Sequence, residues 1–321
     1  MHPWNAQIFE SLKRRLDALP HALLFHGPQG VGKLELAETV AQLILCEHAE
    51  LTRRPCGSCE GCRWFLVGSH PDLRRLEPEA LAKARPEAEG EEGAPATARA
   101  KPSIEIKVDQ VRELAAFLNL GSHRGRRRVA IVHPAEEMNA NAANALLKGL
   151  EEPPLGAMFL LVTHRPARLL PTIRSRCVAI PVPVPAGEAA LEWLDGQGIR
   201  DGERWLKYAG GAPLRAQEYA QAADDLDRLI EAIRSRSPTA VDDRPQLEAL
   251  AEALQKLALD QALAAFGAAP KYGLAKGGRP DGRAWLAFAR RMGENRALSR
   301  HPLNPRLFAA EMLGEMPQEK S

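Results

Sequence analysis

His21–Leu34 reads HALLFHGPQGVGKL, and the fold follows from this stretch. The apolar run HALLF (His21 to Phe25) has the length and burial pattern of a short inner strand. It enters a glycine-rich turn, GPQGVGK. Lys33 to Leu45 then carries apolar residues at Leu34, Leu36, Ala37, Val40, Ala41 and Ile44, which is helical spacing. A strand, a glycine loop and a helix opening on lysine form the setting in which a phosphate-loop motif is credible. Gly27, Gly30 and Gly32 would let backbone N–H groups converge on phosphate oxygens at a helix N-terminus, and Lys33 would reach the terminal phosphates.

Two parts of a working phosphate loop are missing. The residue after the lysine normally carries a hydroxyl that holds Mg²⁺, and here it is Leu34. The strand Arg128 to Val132 (RVAIV) should end on an acid that also holds Mg²⁺, but His133 and Pro134 follow it. Glu136 and Glu137 come later and are expected to point away from the loop. Loss of both metal anchors removes most of the charge stabilisation that phosphoryl transfer needs, so negligible hydrolysis is expected. Two readings of the loop stay open. It is an anion nest that binds ATP or ADP without turnover, or a retained strand–helix turn with Lys33 as a solvated lysine.

Further along, Val108 to Leu120 is a helix, Asn139 to Leu150 a helix stopped by Pro153 and Pro154, and Met158 to Thr163 (MFLLVT) a buried strand. Val178 to Val182 is a last short strand. Such alternation predicts a parallel sheet flanked by helices, hence an α/β domain. After PVPVP (Pro181 to Pro185) the sequence turns Ala- and Leu-rich at helical spacing, with no strand candidate. Asn304 followed by Pro305 marks a helix start. Pro78 to Pro102 is rich in Ala, Glu and Pro without apolar periodicity and reads as a flexible surface insertion.

Cys46, Cys56, Cys59 and Cys62 follow a C-x9-C-x2-C-x2-C spacing. Four thiolates complete a tetrahedral Zn²⁺ site with no position left for water, so the expected site is structural zinc. Cys177 is remote and reads as a small buried hydrophobe. Formal net charge is +2 with 26% charged residues, which announces no nucleic-acid binder by itself. The basic run Arg124 to Arg128 reads as a solvated turn, or as a contact for DNA phosphates. No stretch approaches the roughly 20 apolar residues of a membrane helix, and Met1 to Phe9 has no secretory signal pattern. A cytoplasmic location is expected.

The run NAANALLKGLEEPP (Asn141 to Pro154) closely resembles the signature of clamp-loader subunits of bacterial DNA polymerase III, which belong to the AAA+ proteins. TIRSRC (Thr172 to Cys177) resembles their SRC motif. The cysteines after the loop helix, SHPDL (Ser69 to Leu73) and HALLFHGPQGVGK are similar to the same family, and NPRLF faintly so. Within it, Leu34 and His133 favour the delta-prime branch, which is degenerate at both positions, over the gamma/tau ATPases.

The resemblance implies a RecA-like AAA+ domain over 1–183, with the zinc insertion at about 46–62 and the flexible insertion at about 78–102. A helical lid domain over 184–222 and an all-α collar domain over 223–321 follow. It implies a place in a five-membered ring with gamma/tau and delta subunits, and contact with the sliding clamp and primer-template DNA through that complex. Arg176 would be an arginine finger completing a neighbour's ATP site. Arg174 sits on the same face if the segment is extended. Thr163 and Arg215 fall where the family carries sensor residues. No turnover is expected of the isolated chain, which would serve as part of the DNA polymerase III holoenzyme. The competing expectation is an active gamma/tau-like AAA+ ATPase or another nucleic-acid motor, with Glu136 as replacement metal ligand. A zinc-dependent DNA-binding module is a third.

Overall fold

The computed structural model describes residues 1–83, 102–120, 127–275, 281–299, 301 and 303–317. The insertion expected over 78–102 falls mostly outside the described residues, as does most of the basic run 124–128. The chain divides into two compact units, Met1–Val184 and Pro185–Ser321.

In the first unit five strands form one parallel sheet among the described residues: β1 (Ala22–His26), β2 (Leu73–Leu76), β3 (Arg128–Val132), β4 (Ala157–Thr163) and β5 (Val178–Pro181), in the order β2-β3-β4-β1-β5. The inner strands β1, β3 and β4 are the apolar runs of the sequence, because a parallel sheet covered on both faces needs near-continuous hydrophobic strands. Connecting parallel strands needs crossovers. They carry α2 (Lys33–Leu45), α3 (Glu60–Leu66), α4 (Glu79–Lys83), α5 (Val108–Asn119), α6 (Ala140–Glu151) and α7 (Pro171–Arg176), while α1 (Ala6–Lys13) precedes β1. The Asn139 side chain caps α6 by accepting from the Ala142 amide at 2.9 Å. Phe159 of β4, Leu114 of α5 and Leu146 of α6 share one core.

β2 (LRRL) carries no apolar alternation and is absent from the sequence reading. Its two arginines lie over aromatic rings, Arg74 over Phe117 at 4.6 Å and Arg75 over Phe65 at 5.8 Å. Leu73 and Leu76 are buried at its ends. The strand is held at the sheet edge by a buried ion pair: Asp72, just before it, faces Arg128 at the start of β3 with 3.4 Å between Oδ1 and Nε. Residues 171–176 are helical, with Pro171 in the first turn. The extended segment that would put Arg174 and Arg176 on one face does not form.

The second unit is helical throughout its described residues: α8 (Gly187–Gly196), α9 (Gly202–Tyr208), α10 (Pro213–Gln221), α11 (Ala223–Ser235), α12 (Arg244–Ala265), α13 (Gly282–Leu298) and α14 (Pro305–Gly314). One apolar cluster is built around Leu194, Trp205 and Leu226, and a second around Leu254, Phe288 and Met312. The starts of α12 and α14 are fixed by side-chain caps, Asp243 with Gln246, and Asn304 accepting from Leu307 N–H at 3.2 Å. No helix is long and apolar enough to cross a membrane among the described residues.

Candidate functional site

The phosphate loop sits where its sequence placed it, between β1 and α2. Gly32 opens α2 in the left-handed region at φ 79°, a conformation that glycine adopts without strain. Gly27 must stay bare for a different reason: a Cβ there would come within 2.1 Å of the Val182 carbonyl oxygen. Gly30 also has a positive φ.

Lys33 is not the solvated lysine of the alternative reading. It is 2% exposed, and its Nζ donates back to the Pro28 carbonyl. Burial lowers its pKa to about 8, against the upward pull of Glu136 and then Glu35. The far side of the loop is fastened by the N-terminus, which the sequence reading missed. The Trp4 indole and the Asn5 amide each donate to the Val31 carbonyl at 3.0 Å, and Asn5 also donates to Gly32 O at 3.1 Å. His2 stacks on Trp4 and reaches Glu35 at 3.9 Å. These residues lie more than twenty positions before the loop, so no local pattern connects them.

At the carboxyl ends of the strands, Thr163 pairs in register with His26 of β1. It is fully buried and its hydroxyl accepts from the Arg165 amide at 3.1 Å. His133 stands at the end of β3, its ring edge-on to His164 with centroids 5.4 Å apart. Glu136 departs from expectation. The short 3-10 turn Ala135–Glu137 folds it back, it is 9% exposed, and its Oε1 accepts from the His164 amide at 2.9 Å. Glu136 therefore faces the site instead of solvent. Leu34 follows Lys33 in the first turn of α2 and, being apolar, can hold no metal ion.

The four clustered cysteines come together. Their Sγ atoms all lie within 4.8 Å of one another, and Cys46 and Cys59 are 3.9 Å apart. Backbone amides point at the sulfurs: Glu47 and Cys62 donate to Cys59 at 3.4 Å, and Cys59 donates to Cys56 at 3.3 Å. Amide donors favour thiolates. The amides of Ser58 and Cys59 hold the Cys56 thiol down at about 5, while burial pushes Cys62 up to about 12. Four such thiols can hold one metal ion. Cys177 is half-buried against the sheet core and stands apart from them.

Arg176 ends α7 with its side chain about one-third exposed. Its Nη2 lies 2.5 Å from the Glu151 carboxylate at the end of α6, and Nη1 donates to Thr172 O at 3.0 Å. Arg215 is engaged within its own unit. It contacts Glu218 at 2.6 Å, Tyr219 Oη at 2.6 Å and Glu252 at 3.3 Å.

A family model described as DNA polymerase III, delta subunit, matches residues 4–185. The chain belongs to this family of clamp-loader subunits. It is 39% identical over 254 residues to DNA polymerase III subunit delta' of Pseudomonas aeruginosa, covering 75% of this chain and 70% of that protein. To the delta' subunit of Bacillus subtilis it is 34% identical over 174 residues, covering 54% of this chain and 45% of that one. The alignment thus spans less than half of the Bacillus relative. A gamma-subunit-related protein of DNA polymerase III from Thermotoga maritima superposes with a TM-score of 0.49 at 18% identity, covering 95% of this chain and 97% of that one. Delta-prime family membership matches the expectation drawn from NAANALLKGLEEPP and TIRSRC.

Proposed function

We propose that this chain serves as the delta-prime member of a DNA polymerase III clamp loader, a subunit without turnover of its own that lends Arg176 to a neighbouring gamma/tau ATPase. One observation carries the reading. The two positions that hold Mg²⁺ in a working phosphate loop are Leu34 and His133, so phosphoryl transfer here lacks its charge stabilisation. The side chain the family resemblance assigns to a neighbour, Arg176, lies partly exposed at a helix end, where its partner within the chain is Glu151. A guanidinium inserted beside a neighbour's triphosphate neutralises charge developing on the transferred phosphoryl group, which ties hydrolysis to subunit contact.

The rest of the chain fits the same role. Residues 184–222 act as the lid and 223–321 as the collar that joins gamma/tau and delta subunits into the ring. The sliding clamp and primer-template DNA are met through that assembly, in the cytoplasm. Zinc suits the four cysteines. Bonds of about 2.3 Å place tetrahedral sulfurs about 3.8 Å apart, close to the Cys46–Cys59 separation. Cys46, Cys56, Cys59 and Cys62 would hold the ion and fix the loop after α2, with no open position for catalysis. Thr163 and Arg215 stand as vestigial sensor residues.

The test is a reconstituted complex of this chain with gamma/tau and delta. Arg176→Ala should leave the subunit folded and the ring assembled, and lower turnover at the adjoining ATP site by about 10³-fold. Full DNA-stimulated ATPase and clamp loading by the variant complex would remove the finger assignment. Appreciable hydrolysis by the chain alone, abolished in Lys33→Ala, would favour the active-motor reading instead.

A further inference from the structure

The phosphate loop carries its own anion. Glu136 is more than nine-tenths buried, and its Oε2 has no hydrogen-bond partner. Burying a carboxylate oxygen unpaired is costly unless a positive charge lies near. Its place in the fold supplies one. The other oxygen is held by the His164 amide, one residue beyond Thr163. Thr163 is paired with His26, from which the loop springs. The carboxylate thus sits at the strand ends beside the loop, and the nearly inaccessible Lys33 feels it.

A nucleotide phosphate would need the same place and the same lysine. In a complete site, metal ions bridge the phosphate oxygens and neutralise nearby acids. Here Leu34 and His133 provide no anchor for such an ion, so an incoming phosphate would meet the Glu136 charge directly. His133, His164, Glu35 and His2 border the loop as well. None of them offers the permanent positive charge that would offset a buried acid.

We propose that Glu136 is the resident negative charge of the phosphate loop, offsetting the charge of Lys33 from the strand ends and keeping nucleotide phosphate out. The loop persists because it is internally neutralised, a strand–helix turn closed by its own carboxylate. This concerns the isolated chain and stands or falls independently of the Arg176 assignment.

The experiment is a titration of the full chain with fluorescent ADP, with and without Mg²⁺, comparing wild type, Glu136→Gln, Glu136→Gln with Lys33→Ala, and Glu137→Gln. In Glu136→Gln the new side-chain amide is expected to keep the oxygen that accepts from the His164 N–H. Removing one charge close to the phosphates should tighten binding by at least about tenfold. Adding Lys33→Ala should cancel the gain, and Glu137→Gln should behave as wild type. Equal or weaker binding by Glu136→Gln, or no binding by any variant, overturns the proposal. Loss of binding confined to Mg²⁺ conditions would instead make Glu136 a metal-side ligand. If the amide is poorly seated, Glu136→Ala removes the same charge. Lys33 acylation, followed by peptide mass spectrometry at pH 7.5, gives a nucleotide-free check. Without its counter-ion the amine should react faster, and unchanged or slower labelling refutes the pairing.

Discussion

Glu252→Gln tests the most concentrated electrostatic feature of the helical unit. Glu252, on α12, is about one-seventh exposed. It receives Arg296 Nη2 at 2.9 Å, Lys256 Nζ at 2.9 Å and Arg215 Nη2 at 3.3 Å, and the Tyr219 hydroxyl donates to it. Burial alone would raise its carboxyl pKa, but Lys256, Arg296 and Arg215 together outweigh it and bring the value from the ordinary 4.5 down to about 2. At 1.36 kcal/mol per pH unit, that difference is worth about 3 kcal/mol. The folded pKa is depressed, so this stability is present above pH 4.5 and lost as the pH falls from there towards 2. The amide variant should lose about 3 kcal/mol at pH 7, within the range for breaking a buried pair. Arg296 keeps Glu248 at 3.3 Å and Arg215 keeps Glu218, which limits the damage. Lys256 provides the contrast. Burial lowers it to about 8, so the folded state strains its charge, and Lys256→Met should cost less than about 1 kcal/mol. Hydrogen exchange of α10, α12 and α13 amides, read between about pH 2 and 8, measures both variants. A Glu252→Gln chain as stable as wild type at pH 7, or one that keeps the acid-dependent slope, refutes the argument. So does a Lys256→Met cost equal to that of Glu252→Gln.

Two further outcomes are expected. Cys59→Ser, which removes the sulfur receiving both the Glu47 and Cys62 amides, should abolish bound zinc and expose residues 46–62 to proteolysis, read by elemental analysis and limited digestion. Metal content unchanged from wild type would break the ligand set. Asp72→Asn should destabilise the first unit by about 3 kcal/mol in urea titrations, because Arg128 would be left buried with its charge unpaired against the Phe117 ring. A cost below about 1 kcal/mol would show that the ring and the Phe117 carbonyl suffice for Arg128.

What could be read from the chain depended on whether the cause was local. The strands β1, β3 and β4 are runs of buried apolar residues, so their identity is written in consecutive positions. The caps of α6 and α14 are likewise local, since Asn139 and Asn304 bond amides three residues on. The thiol cluster was legible because short C-x2-C steps leave little freedom in where the sulfurs go. β2 was not, because only Leu73 and Leu76 at its ends are buried, and between them Arg74 and Arg75 set their guanidinium groups over Phe117 and Phe65. A period-two hydrophobic search cannot register a strand covered that way.

The site residues divide along the same line, and the division bears on what the loop does. Leu34 and His133 fall where the sequence puts them, in the first turn of α2 and directly after β3, because their places are set by neighbours in sequence. Glu136 was misplaced because a single 3-10 turn reversed its direction, and only contact with His164, 28 residues away, shows where its carboxylate rests. Arg215 is similar, since its more buried carboxylate partner, Glu252, lies 37 residues on. Motif logic would have both act on a nucleotide, yet each already has an opposite charge or a backbone donor inside the protein. A chain that had merely lost its metal anchors would leave Lys33 and Arg215 without counter-charges. Glu252 provides one for Arg215, and the proposed role of Glu136 would provide the other for Lys33. Arg176 is paired within the chain as well, with Glu151 at 2.5 Å, so under the proposed function that ion pair has to open before the guanidinium can serve a neighbour.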